Sequence, residues 1–245
     1  MEYTATFWVL AVIGVFITGI SKSGFAGGIG VVTVPLLALE IGPLKAAAIM
    51  LPVLLAMDYL SVRAWWGQQI NGQLKLLLPA SVCGIVTGWI LYDFLNEQVL
   101  NLVLGITAIM FALWGLFKGV EIRGIPATVL GPVCGAIAGF TSFVAHAGGP
   151  PLNIYLVTQQ LPRKQFLATA VMFFASINLI KVIPYLALGQ INPDNLLVAL
   201  ILFPVAWIGV KAGLVLQQWL NDQIFYRVIL IFLLAIGIRL VFGNL

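Results

Sequence analysis

Two short stretches of this 245-residue chain set polar side chains beside glycine pairs inside otherwise apolar sequence. The first reads Ser21-Lys22-Ser23-Gly24-Phe25-Ala26-Gly27-Gly28. The second reads Thr141-Ser142-Phe143-Val144-Ala145-His146-Ala147-Gly148-Gly149-Pro150-Pro151, with Asn153 in the turn that follows. A helix that restarts after such a break opens with unpaired N–H groups and a partial positive charge, which is a ready anion site. Hydroxyls and cations beside it suit an oxyanion such as sulfite or a carboxylate. The candidate substrate-binding set at the breaks is therefore Ser21, Lys22, Ser23, Gly27, Gly28, Thr141, Ser142, His146, Gly148, Gly149 and Asn153. His146 is the only histidine, and its ordinary titration range also suits a proton relay. Plainer readings stand beside these. The glycines allow close helix packing, Lys22 anchors a cytoplasmic helix end, and His146 is a hydrogen-bonded structural group.

Four further ionisable residues fall inside apolar segments: Asp58, Lys181, Lys211 and Arg239. Charges inside a membrane are functional candidates by default. Lys211 and Arg239 lie near segment ends, where long side chains reach the interface. Asp58 and Lys181 lie deeper, and Asn178 sits one turn before Lys181 on the same helix face. Asn178 and Lys181 thus join the candidate binding set, and Asp58 and His146 are candidates for proton coupling. The rival reading is a structural ion pair between Asp58 and Lys181.

These residues need elements to position them, and the composition says which kind. The chain is 62% hydrophobic and 8% charged, with a mean hydropathy of +1.10. Soluble domains carry roughly a quarter charged residues. A soluble enzyme, a disordered chain and a nucleic-acid binder are excluded; a polytopic all-α membrane protein remains. Apolar segments lie at about 5–21, 29–40, 44–63, 74–92 and 97–117, then at about 128–143, 152–161, 165–187, 195–217 and 223–243. The two short pieces cannot cross a hydrocarbon core of roughly 30 Å, so they are arms of broken or re-entrant hairpins. The first segment carries no basic leader before it and reads as a retained helix.

The second half repeats the first. Ala26-Gly27-Gly28 matches Ala147-Gly148-Gly149, and Gln69-Ile70-Asn71 matches Gln190-Ile191-Asn192. Pro79, Gly84, Gly88, Leu91, Leu95, Asn96, Glu97 and Gln98 fall in register with Pro204, Gly209, Gly213, Leu216, Leu220, Asn221, Asp222 and Gln223. The polar stretch from Lys118 to Pro126 separates repeats at 1–120 and 121–245 of one membrane domain. Each half holds a hairpin and three spans, so parity inverts the second half. Loops on one side collect Lys22, Arg63, Lys75, Lys118, Arg123, Arg163, Lys164 and Arg227. The other side collects Lys45 with Glu2, Glu40, Asp93, Glu97 and Asp194. The basic side is cytoplasmic, which puts both termini outside and accounts for most of the net charge of +4. Cys83 and Cys134 read as buried free thiols, with no metal or disulfide spacing.

At Gly19-Ile20-Ser21-Lys22-Ser23-Gly24-Phe25-Ala26-Gly27-Gly28, with Val34-Pro35, and at Gly139 to Pro151, the chain resembles the sulfite exporter TauE/SafE family, also called the toluene sulfonate uptake permeases. Many members carry three consecutive glycines where this chain has Ala26-Gly27-Gly28 and Ala147-Gly148-Gly149-Pro150. The resemblance implies an inner-membrane permease for small sulfur-containing anions such as sulfite or organosulfonates.

The expectation is a secondary transporter of inverted repeats with interrupted helices. Its partners are a small anionic substrate and the lipid bilayer, with no nucleic acid, metal or cofactor, and no oligomeric state indicated. An embedded enzyme using Asp58 and His146 lacks a nucleophile elbow or metal cluster. A carrier of cations or neutral solutes built on Asp58 is the remaining alternative.

Overall fold

The computed structural model describes residues 3–27, 32–94, 96–116 and 126–219, together with 231, 234–235, 237–238 and 241–242. All regular structure among them is helical. The order is α1 (Ala5–Gly24), α2 (Thr33–Ile41), α3 (Pro43–Trp65), α4 (Asn71–Ile90), a single 3-10 turn (Tyr92–Phe94), α5 (Glu97–Leu116), α6 (Ala127–Ala145), α7 (Gly149–Thr158), α8 (Arg163–Ala187) and α9 (Pro193–Leu216). Six of these, α1, α3, α4, α6, α8 and α9, are long and apolar enough to cross a membrane. The chain is a multi-pass membrane protein. α2 and α7 have 9 and 10 residues, about 14–15 Å at the helical rise, or half a bilayer core. The segment expected at about 223–243 lies largely outside the described residues.

The helix ends explain why the chain turns where it does. Thr4 caps α1, its hydroxyl accepting from Phe7 N at 3.0 Å. Asn192 caps α9 through Asn195 N at 2.9 Å, with Pro193 at the first helical position. The two hairpin turns use one device. Gly27 N bonds Ser21 O at 3.0 Å past Ala26, and Ala147 N bonds Thr141 O at 3.1 Å past His146. Ala26 and His146 occupy the left-handed region at φ 54° and 52°. Both turns are thus Schellman-type stops. The caps align Ser21 with Thr141 and Ala26 with His146, one residue away from the alignment of the glycine triplets.

The most extensive helix pairs are α1 with α9 and α4 with α6, and α3 meets α8 between them. The two seams depend on absent side chains. A Cβ on Gly19 would lie 2.9 Å from the Gly209 backbone, and one on Gly139 would strike Ser81 O. Gly84 fills the matching place against Ala136 O, as Gly209 does against Phe16 O.

Apolar residues such as Val129, Val133 and Ile137 on α6, and Leu197, Leu200 and Ile201 on α9, are exposed, while Lys22, Asp58, Asn178 and Lys181 are buried. This inside-out pattern suits a protein solvated by lipid. Cross-links mark the two ends of the helix bundle. At one, Ile70 N donates to Thr169 Oγ1 at 3.0 Å, close to Lys75, Arg163 and Lys164 in the first turns of α4 and α8. At the other, Thr4 Oγ1 donates to Glu40 at 3.0 Å and Gln190 Nε2 to Tyr92 Oη at 2.7 Å. Burial, with a smaller push from Asp93, raises the Tyr92 phenol above its ordinary range. One expectation is corrected here: Cys134 is buried, but Cys83 faces outward from α4.

Candidate functional site

Six buried polar residues form two hydrogen-bonded clusters. In the first, Lys22 Nζ on α1 lies 2.7 Å from Asp58 Oδ1 on α3, with side-chain exposures of 4% and 5%. Lys22 also donates to Leu54 O at 3.4 Å, and its ammonium sits 5.9 Å from the centre of the Phe174 ring. The second Asp58 oxygen accepts from Asn178 Nδ2 at 2.7 Å. The carboxylate is thus held by α1 and α8 together. This corrects the rival expectation of an Asp58–Lys181 pair, and it removes Lys22 from the role of interfacial anchor.

In the second cluster, Lys181 Nζ donates to Ser142 O and Ser142 Oγ, each at 2.9 Å, and to His146 Nδ1 at 2.7 Å. His146 Nε2 lies 2.9 Å from Ala47 O. A carbonyl only accepts, so Nε2 carries the ring hydrogen and Nδ1 is free to accept from Lys181. The three acceptors around Nζ fit an ammonium. His146 therefore stops α6, takes a bond from α8 and gives one to α3. Pro52, in the same stretch of α3, lacks the N–H that would bond Ala48 O.

Between the clusters lies a cavity of about 20 Å³, room for little more than one water. Its walls are Thr18, Lys22 and Gly27 from the first hairpin, Ser142 and His146 from the second, Leu54 from α3, and Phe174 and Asn178 from α8. All of these side chains but Gly27 are buried. Both glycine breaks and both central helices converge on one point.

The family model described as "Sulfite exporter TauE/SafE" matches residues 10–240. The chain belongs to the sulfite exporter TauE/SafE family. No individual curated protein and no solved structure gave a significant match. As a TauE/SafE member, the chain is a membrane protein of a transporter family.

Within this TauE/SafE fold the expected residues divide. Lys22, Gly27, Ser142, His146 and Asn178 line the cavity, and Asp58 and Lys181 brace it from behind. Ser23 turns away, its hydroxyl sharing its one hydrogen between Gly19 O and Val210 O, each 2.9 Å away, while Trp65 Nε1 donates to Ser23 O at 2.9 Å. Thr141 Oγ1 donates to Ile137 O at 2.8 Å within its own helix. Ser21 is buried, with its carbonyl closing the α1 cap. Gly148 packs against α6, where a Cβ would lie 2.7 Å from Ala138 O, and Gly149 opens α7. Asn153 is buried on α7, away from the cavity wall, and its Oδ1 has no hydrogen-bond partner among the described residues. Gly28 lies outside the described residues.

Three wall residues escaped the sequence reading: Thr18, Leu54 and Phe174. Each stands four residues before a polar residue already singled out, namely Lys22, Asp58 and Asn178. On a helix that step shares a face, so the signal was available.

Proposed function

We propose that this TauE/SafE protein is a secondary transporter that carries a small sulfur-containing oxyanion, such as sulfite or an organosulfonate, across the inner membrane by alternating access. The observation that carries the reading is a cavity lined by residues of both hairpin breaks, with the buried Lys22 ammonium facing it. Lys22 and Lys181 bring two basic groups to the cluster, against one carboxylate from Asp58. An anion entering the cavity meets an excess of positive charge, Ser142, and the Asn178 amide.

The cavity as it stands is too small for a sulfur oxyanion, so loading requires its walls to part. The paired seams, α1 with α9 and α4 with α6, support a repeated architecture whose halves rock about α3 and α8. Matched residues Gly84 and Gly209 serve one in each seam. The end that gathers Lys75, Arg163 and Lys164 is the cytoplasmic one in this reading, which leaves both termini outside.

Binding by purified protein in detergent, measured across sulfite, thiosulfate, taurine and sulfoacetate, tests the substrate class. Competition among anions is expected. Competition among cations, or anion transport undiminished in the double variant Lys22→Ala/His146→Ala, overturns the assignment.

A further inference from the structure

The Lys22–Asp58 pair does something no anion site requires. It fills the cation with an internal carboxylate, 2.7 Å away, while Asn178 supplies the other carboxylate oxygen with an amide donor. An oxyanion arriving beside Lys22 would be offered the same two donors that Asp58 already holds. Two anions cannot share them at such range in a low-dielectric interior.

We propose that Asp58 is an internal surrogate for the substrate. Binding the anion at Lys22 and Asn178 displaces the Asp58 carboxylate, which leaves as the neutral acid, so one proton crosses with each anion. The inference rests on the anion reading of the cavity and adds its coupling. In the empty site, Asp58 is ionised and paired with Lys22. On loading, the anion takes the Lys22 Nζ donor, and a proton from water on the loading side bonds to an Asp58 oxygen. On unloading, the anion departs, the Asp58 O–H gives its proton to water on the far side, and the ion pair re-forms. Charge and atoms balance in each step.

The surroundings of Asp58 leave this role to it alone. α3 packs against α1, α2, α5, α6, α8 and α9. The charged groups acting on Asp58 are Lys22 from α1 and Lys181 from α8. Glu40 and Asp194 sit at the far ends of α2 and α9, Lys211 lies exposed against Trp207 on α9, and Glu97 opens α5. His146, beside α6, faces Lys181 and Ala47 O with both ring nitrogens engaged, so it can take no proton without breaking one of those contacts.

The test uses thiosulfate and methanesulfonate, which keep a fixed charge near neutral pH, so any proton counted belongs to the protein. Calorimetric titration of the purified protein in buffers of different ionisation enthalpy reads protons taken up per anion bound. Uptake of about one proton per anion is expected, and affinity should rise about tenfold per pH unit of acidification wherever Asp58 is ionised in the empty protein. Asp58→Asn, which keeps the shape and removes the competing charge, should abolish the uptake and flatten the pH profile. An anion-induced infrared difference spectrum of the unmodified protein should show a protonated-carboxyl stretch, and this reading does not depend on the variant folding. Binding without proton uptake, or uptake that persists in Asp58→Asn, overturns the inference and leaves the anion reading standing. Failure of thiosulfate, methanesulfonate and sulfite alike to bind overturns the anion reading itself, and the coupling falls with it.

Discussion

Lys22, in the last turn of α1, and Asp58, about two turns from the end of α3, lie 2.7 Å apart and almost wholly out of solvent. Neither has a second group of opposite charge within ion-pair distance among the described residues. Breaking a buried pair from one side leaves an uncompensated charge, which costs more than the pair itself contributes. Lys22→Ala should therefore lower stability by about 3–5 kcal/mol. Replacing both together, as Lys22→Met/Asp58→Leu, should restore most of that stability without restoring anion binding. Unfolding in detergent, followed alongside ligand titration, separates the two effects. Equal losses in the single and double variants would contradict it.

Phe174 and Leu54 set the size of the cavity. Phe174→Ala removes a ring that stands against both Lys22 and Gly27. Selectivity should move toward bulkier organosulfonates by about 10-fold or more relative to sulfite, in line with a pocket contact of about 1–3 kcal/mol. Competition assays with sulfonates of increasing size provide the readout, and an unchanged size order would place the substrate elsewhere.

Ala26 holds a left-handed backbone that costs an L-residue roughly 1–2 kcal/mol. Ala26→Gly should raise thermal stability by about 0.5–1 kcal/mol. Ala26→Val should lower it by more than that, since a β-branched side chain fits this region worst. Melting curves for the three proteins should rank Gly, Ala, Val.

Gly139 and Gly72 give opposite expectations for one substitution. At Gly139 a Cβ meets Ser81 O across the α4–α6 seam, while at Gly72, in the first turn of α4, it meets nothing within 4 Å. Gly139→Ala should destabilise by about 1–3 kcal/mol, and Gly72→Ala should stabilise by up to about 1 kcal/mol. Matching signs for the two would show that the seam is looser than described.

The spans were legible because lipid demands long apolar runs, and the observed helices start and stop within a few residues of the hydropathy boundaries. Lys22 and His146 were legible because charged or titratable residues beside a helix break in a membrane have few other uses, and Asn178 because it shares a helix face with Lys181. The partner of Asp58 was not. Hydropathy places Asp58 and Lys181 at similar depths, but contact depends on which face each helix turns inward, and that is set by the glycine seams. The caps pair Ala26 with His146, whereas the matching Ala-Gly-Gly letters pair Ala26 with Ala147, because letter matching ignores where each helix stops. It is the left-handed residue, Ala26 or His146, that fixes the end of each helix. Cys83 was misplaced for a related reason: inside a membrane, apolar sequence says nothing about which side faces lipid.

The seams also decide what the two sequence halves can do alone. α1 has its most extensive partner in α9, and α6 has its own in α4. Each half of the polypeptide has lent one helix to the other, so the units that pack together are α1, α2, α3 with α9, and α6, α7, α8 with α4. A fragment ending near residue 120 would lack α9 and leave the glycine face of α1 open to lipid. The halves are interlocked like a swapped dimer on a single thread, and a gene split between them should yield a working protein only when both pieces are made in the same membrane.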